Sequence, residues 1–226
     1  MQWARPSSKV LQVHMQTTFP DRYEAAQSIF GYSGGAFGDT LGKKCWHDAA
    51  CIMHDFELDW CIGVGCRYPS DCDLPIVLPD FPYEVSGPRS SSFDAVVLLV
   101  LPRLADVVLF QPQWSPCSRI TCIKVGTCSV WFGIYMPPRL RGQNEHVRLS
   151  LIKLLFRTVD EASRAKANFG ASIYVCGDLN PSGDIEHVYG QLLVQHNMRD
   201  HLPQDAPTHS AGHKLDIVLS RQPPRL

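Results

Sequence analysis

Between residues 129 and 176 the chain passes through a strand pattern, one long helical stripe and a second strand pattern, and this succession leaves few folds open. Ser129 to Tyr135 (SVWFGIY) is rich in apolar and aromatic residues and is soon closed by Pro137-Pro138, which cannot donate to a ladder. The two prolines stop the ladder at a sheet end, where α/β sites collect. Val147, Leu151, Leu154, Leu155, Val159, Ala162 and Ala165 then recur at steps of three and four, the single apolar stripe of an amphipathic helix. Asn144 is placed to cap its start, with Asn168 and Gly170 near its exit. Ala171 to Cys176 (ASIYVC) reads as the next strand.

The pattern extends both ways. Ala95 to Leu101 (AVVLLVL) is a continuous apolar run, as expected of a strand buried on both faces. Val107 to Phe110 is a shorter run, and Ser118 to Val125 (SRITCIKV) alternates well enough for a strand. Ile185 to His196 predicts a shorter helix and Lys214 to Leu219 a last strand. Strands and helices in this order predict an α/β chain built in layers. Residues 1–92 are harder to read. Gly31-Tyr32-Ser33-Gly34-Gly35 looks like a loop, Pro69, Pro75, Pro79, Pro82 and Pro88 break any long element, and Trp60 to Gly65 is one apolar run with the length of a buried strand. The expected division is therefore 1–92, a diverged N-terminal half or an unrelated segment, and 93–226, the readable domain.

Composition narrows the class. With 226 residues, 45% hydrophobic, there is enough apolar material for a real core, and 19% charge argues against disorder. The net charge of -1 hides an asymmetry: residues 1–118 hold 8 basic against 13 acidic side chains, residues 119–226 hold 13 against 9. A basic half fits either a polyanion partner or ordinary solvated faces. No stretch reaches the ~18 apolar residues of a membrane span, and Met1 to Pro20 has no apolar signal core. The expectation is an intracellular protein, nuclear or cytoplasmic and not secreted, with no membrane and no protein partner implied. Nine cysteines then stay reduced. Cys45, Cys51, Cys61, Cys66 and Cys72 cluster with His47 and His54, but spacings of six, ten, five and six contain no CxxC pair, so buried or incidental thiols are expected rather than zinc.

The chemistry concentrates at Val175-Cys176-Gly177-Asp178-Leu179-Asn180-Pro181, where a strand runs into Gly-Asp-x-Asn. Gly177 permits a sharp backbone turn beside a ligand. Asp178 presents a hard carboxylate oxygen where Mg²⁺ or an attacking water would sit. Asn180 offers two N–H donors and a carbonyl to orient a phosphate oxygen without adding charge. By itself the segment reads first as an Asx turn in which Asp178 caps the next helix, and Tyr135, taken alone, is a packing residue.

In order along the chain stand a strand ending Tyr135-Met136-Pro137, a helix, a strand ending Gly177-Asp178-Leu179-Asn180, and Thr208-His209 followed by Leu215-Asp216-Ile217-Val218. This series resembles the endonuclease/exonuclease/phosphatase family over residues 93–221, and its wording is especially similar to endonuclease domains of LINE-type retrotransposons. The resemblance implies an α/β sandwich, two packed β-sheets flanked by helices, working with Mg²⁺ or Mn²⁺ on DNA. It implies that Asp178 binds the metal and prepares the attacking water. Asn180 would hold the scissile phosphate, with Thr208 and His209 in a loop near the substrate. Tyr135 would donate its O–H to a phosphate oxygen, and Asp216 would orient an imidazole. Three family features are absent: an Asn on an opening strand, for which Val10 to Thr18 supplies no clear counterpart; a metal-binding Glu, whose nearest position is Cys66; and a closing Ser-Asp-His strand, absent before Leu226. The expectation is therefore a metal-dependent phosphodiesterase of nuclease type, truncated at the C-terminus, whose activity the loss of that Glu and His leaves open. A non-catalytic mobile-element remnant that binds nucleic acid, and a phosphatase for a phosphorylated lipid or small molecule, remain open.

Overall fold

A computed structural model describes residues 31–33, 59–68, 76–77, 84–88, 90–137, 144–179, 184–202 and 216–221. The strands are β1 (Gly31–Ser33), β2 (Trp60–Tyr68), β3 (Ile76–Val77), β4 (Glu84–Ser86), β5 (Ser90–Val100), β6 (Val108–Phe110), β7 (Ile120–Val125), β8 (Ser129–Tyr135), β9 (Ser172–Asp178), β10 (Arg199–Asp200) and β11 (Asp216–Arg221); the helices are α1 (Glu145–Arg164) and α2 (Asp184–Gln195). They build two sheets, one ordered β1-β2-β5-β4-β3, the other β10-β11-β9-β8-β7-β6. Only the β1–β2 and β8–β9 pairs are parallel among these strands. Parallel neighbours need a long crossover, and α1 supplies it between β8 and β9.

The apolar runs are explained by what covers each face. On one side of the second sheet, Phe132, Ile134, Val175 and Ile217 meet Leu151, Leu155, Phe156 and Val159 of α1 and Ile185 of α2. On its other side, Ile123, Trp131, Tyr174 and Val218 meet Trp60, Ile62, Val96 and Leu98 of the first sheet. β9 is thus buried along both faces. The layered α/β sandwich expected from the sequence is the observed fold.

Where the sheets come closest, a side chain is missing on purpose of packing: a Cβ on Gly133 would stand 2.5 Å from methyls of both Ile62 and Val96. β4 pairs β5 only at residues 98–100, so the edge of Val96 is open for the second sheet. Its N–H donates to the Ser118 carbonyl at 2.8 Å, and its carbonyl accepts from the Thr121 hydroxyl. Trp60 packs edge-on to Trp131, with ring centroids 5.6 Å apart, and Ile62 faces Gly133. β2 therefore advances in the same sense as β8, and the later parts of both strands lie at one pole.

Three local expectations change. Gly31–Ser33 is a strand rather than loop, because the parallel partner Ile62–Val64 supplies hydrogen bonds that a Gly- and Ser-containing segment does not signal by itself. Residue 93 lies inside β5, whose neighbour β2 comes from the preceding part of the chain. Asn144 occupies the N-cap position and its carbonyl accepts the Arg148 N–H at 3.0 Å, but its side chain makes no capping bond. The helix exit follows expectation: Asn168 Nδ2 donates to the Ala162 carbonyl at 2.9 Å, and Gly170 takes φ +79°.

Candidate functional site

β8 and β9 run parallel and end together, with Tyr135 opposite Asp178. β11 enters antiparallel on the far side of β9, and its first residue, Asp216, is also opposite Asp178. Three of the four expected catalytic residues thus form one row across neighbouring strands, spanning roughly 10 Å at about 4.8 Å per strand. Side chains of paired residues share a face. The row has the parity of Trp131, Tyr174, Cys176 and Val218, which face the first sheet. Tyr135, Asp178 and Asp216 accordingly stand at the mouth between the two sheets. Asp178 is 9% exposed, and its neighbours in the row are half-buried.

Backbone geometry sets this mouth. Gly177 adopts φ +129°, and a Cβ there would collide with the Ile134 carbonyl oxygen, so only glycine fits beside β8. Beyond the strand ends, the Met136 N–H donates to the Asp178 carbonyl at 2.7 Å and carries the register one step further.

The row has a fourth member that sequence reasoning passed over. The Tyr135 N–H donates to the Arg119 carbonyl at 3.0 Å, one step beyond the Ile120–Ile134 pair. Arg119 shares the parity of Thr121, whose hydroxyl reaches Val96 of the first sheet. Arg119, half-buried like Tyr135 and Asp216, therefore begins a line that runs Arg119, Tyr135, Asp178, Asp216: a cation, a phenol and two carboxylates. The only signal in the sequence was a basic residue at the start of a strand pattern, which is too common to single out.

Beneath the carboxylates lies Cys176. Burial, with a smaller contribution from Asp216, pushes its thiol up to about 12, so it stays protonated at neutral pH. Asp178 supplies a hard oxygen at the centre of the row and Asp216 a second one strand away, a donor chemistry that suits Mg²⁺ or Mn²⁺. The backbone of Cys66, the nearest counterpart of the family's Glu, lies in β2 opposite Ala95, between two register shifts and at the same pole as Tyr135. A thiol there is a poor Mg²⁺ ligand.

Asn180, Thr208 and His209 lie outside the described residues, as do Cys45, Cys51 and Cys72 with His47 and His54. Among the described residues no group of three His, Cys, Asp or Glu is arranged to hold a metal ion, and no helix is long and apolar enough to cross a membrane. Two histidines, His196 and His201, are buried and hydrogen-bonded or ion-paired. His196 Nδ1 stands 3.0 Å from Asp160, and His201 Nε2 stands 2.6 Å from the Ser220 hydroxyl. His201 points along β11 away from Asp216, so it is not the imidazole that Asp216 was expected to orient.

No family model and no curated protein matches the sequence. Solved structures do match its fold. The endonuclease domain of TRAS1, a telomere-specific non-LTR retrotransposon, superposes with a TM-score of 0.54 at 12% identity, covering 78% of each chain. The 3' phosphatase NExo from Neisseria, bound to a product DNA hairpin, gives 0.59 at 15% identity over 80% of this chain and 82% of that one. Truncated TDP2 from Caenorhabditis elegans gives 0.52 at 14% identity over 87% and 84%. The chain has the endonuclease/exonuclease/phosphatase fold, shared with nucleases and phosphatases.

Proposed function

We propose that the chain is a metal-dependent phosphodiesterase of nuclease type with DNA as its substrate class. The observation that carries this reading is the row: Tyr135, Asp178 and Asp216 occupy one register line at the mouth between the sheets. Hydrolysis of a phosphodiester needs an in-line water, donors for the phosphoryl oxygens and a place for the leaving alkoxide. Asp178 accepts a proton from the water and orients it. Tyr135 donates its O–H to a phosphoryl oxygen, and Arg119 next to it holds the flanking phosphate by charge. Asp216 adds a second carboxylate one strand away from Asp178. Asn180, two residues past Asp178, would hold the scissile phosphate, with Thr208 and His209 as further substrate-binding residues. A divalent ion bound at Asp178 would neutralise charge on the phosphate.

The test is nicking of supercoiled or abasic DNA in Mg²⁺ or Mn²⁺ by the full chain. Cleavage that disappears with EDTA and with Asp178→Ala is expected; cleavage unchanged in Asp178→Ala overturns the assignment. One point favours a second reading, a non-catalytic DNA-binding protein: Cys66, the nearest sequence counterpart of the family's metal-binding Glu, is a β2 residue that brings no carboxylate. Salt-sensitive DNA binding without cleavage in either metal supports that reading, and metal-dependent cleavage lost in Asp178→Ala removes it.

A further inference from the structure

We propose that Arg148 is a positioning residue of this site, holding the strand end that carries Tyr135 through a hydrogen bond to the Pro137 carbonyl; the catalytic half of this proposal rests on the nuclease reading above. Arg148 is the fourth residue of α1 and is 0% exposed. Two elementary costs weigh against a guanidinium in that place. It keeps its charge in any protein, and removing a charge from water costs several kcal/mol unless good partners replace the solvent. It also lies near a helix N-terminus, where the helix dipole disfavours cations. The stripe of α1 would accept a leucine here as it does at Leu151 and Leu155. A residue that violates both burial and dipole preferences marks a place where something other than packing is selected.

The bond it makes says what that is. Arg148 Nη1 donates to the Pro137 carbonyl at 2.7 Å. Pro137 follows Met136, whose N–H donates to the Asp178 carbonyl at 2.7 Å, and Met136 follows Tyr135. Past residue 135 the ladder is down to this last bond, and a proline has no N–H with which to extend it. Without a second tether, the segment carrying Tyr135 would fray as strand ends do. The buried guanidinium supplies that tether from α1, so helix and strand end move as one body and the phenol keeps its place beside Asp178. Arg148 touches no reacting atom. Its effect is on the placement of Tyr135, for which an error of about 1 Å costs on the order of 100-fold in rate.

Amide hydrogen exchange reads this directly, with no need of activity. In Arg148→Met, protection of the Met136 and Tyr135 amides is expected to fall at least about 10-fold more than that of Val130 and Ile173 at the opposite end of the same strands. Equal loss at both ends, or no loss at Met136, overturns the proposal. Arg148→Lys keeps one charged donor and should restore most of the protection. If neither variant folds, the wild type decides: a through-bond coupling between Arg148 Nη1 and the Pro137 carbonyl carbon is expected, and its absence overturns the tether. Where the wild type cleaves DNA, Arg148→Met should lower kcat about 10- to 100-fold with KM nearly unchanged, and Arg148→Lys should recover most of that loss; kcat unchanged in Arg148→Met in the face of lost Met136 protection overturns the catalytic half. Absence of cleavage in the wild type would remove the nuclease reading and leave the exchange result to judge the tether alone.

Discussion

Gly177 shows how strictly one position can be fixed by its neighbours. With φ at +129° and the Ile134 carbonyl in the way of any Cβ, Gly177→Ala should lose about 2 kcal/mol or more, read as a fall in Tm. A Tm within a degree of wild type would show that β9 and β8 do not meet as described. Tyr135 asks for the opposite experiment, because its ring and its hydroxyl do different things. Tyr135→Phe keeps the packing against the inter-sheet cluster and removes only the donor. The expected outcome is wild-type stability with kcat for DNA cleavage lowered about 100-fold or more. Arg119→Ala should instead weaken DNA binding and flatten its salt dependence by about one phosphate contact, since a cation beside the phenol acts on charge rather than on chemistry. Of these residues Gly177, Tyr135 and Asp178 were legible in the sequence, since each sits in a motif with local chemical meaning. Arg119 and Arg148 were not. Nothing within a few residues of either distinguishes a site arginine from a solvated one, and only a backbone partner from another part of the fold does so.

Elements were legible in proportion to how much of their stability is local. α1 carries its own stripe, and the expected run of apolar positions matches the buried Leu151, Leu155, Val159 and Ala162. Phe156 adds to that face, 1% exposed and 5.1 Å from the His196 ring. Phe156→Ala should cost about 3–5 kcal/mol, measurable by urea denaturation, because the cavity lies between α1, α2 and the sheet. β8 and β9 were readable for the same reason, as runs long and apolar enough to be strands in any context. β1 and β10 were not: three and two residues long, they are strands only because β2 and β11 offer them ladders. The close approach at Gly133 belongs to this scale as well. Its narrowness is set by Ile62 and Val96, so a larger residue there must push the sheets apart and with them the mouth that holds the row.

At the scale of the molecule, the pole opposite the candidate site is closed by a charge cluster that joins three elements. Asp160 of α1 accepts from Arg221 of β11 at 2.7 Å and lies 3.0 Å from His196 Nδ1 at the end of α2, with Arg164 at 3.5 Å. Burial works to raise the Asp160 carboxyl, but the bonds and charges of His196 and Arg221 outweigh it and hold the group below its ordinary value of 3.8. A lowered folded-state value means the cluster stabilises the fold fully above about 3.8 and loses that contribution as pH falls through the lower folded value. Asp160→Asn should therefore be less stable than wild type at neutral pH, with the two denaturation midpoints converging in acid. A constant difference down to acid pH would show that the pairing contributes nothing. Because Arg221 is paired with the start of β9 and Asp216 with its end, this variant should leave the row intact, which circular dichroism and DNA binding at neutral pH would verify.

The sequence by itself determined the layers and the chemistry of the motif. A period of two or of 3.6 and a Gly-Asp-x-Asn after a strand are properties of neighbouring residues, which a chain displays before it folds. Tertiary structure decided the rest. It set Asp216 and Tyr135 on either side of Asp178, added Arg119 to their line, turned that line inward between the sheets and buried Arg148 behind it. The row of Tyr135, Asp178 and Asp216 depends on hydrogen-bond register between segments about 40 residues apart, and no local period encodes which residue of one strand stands opposite which residue of the next.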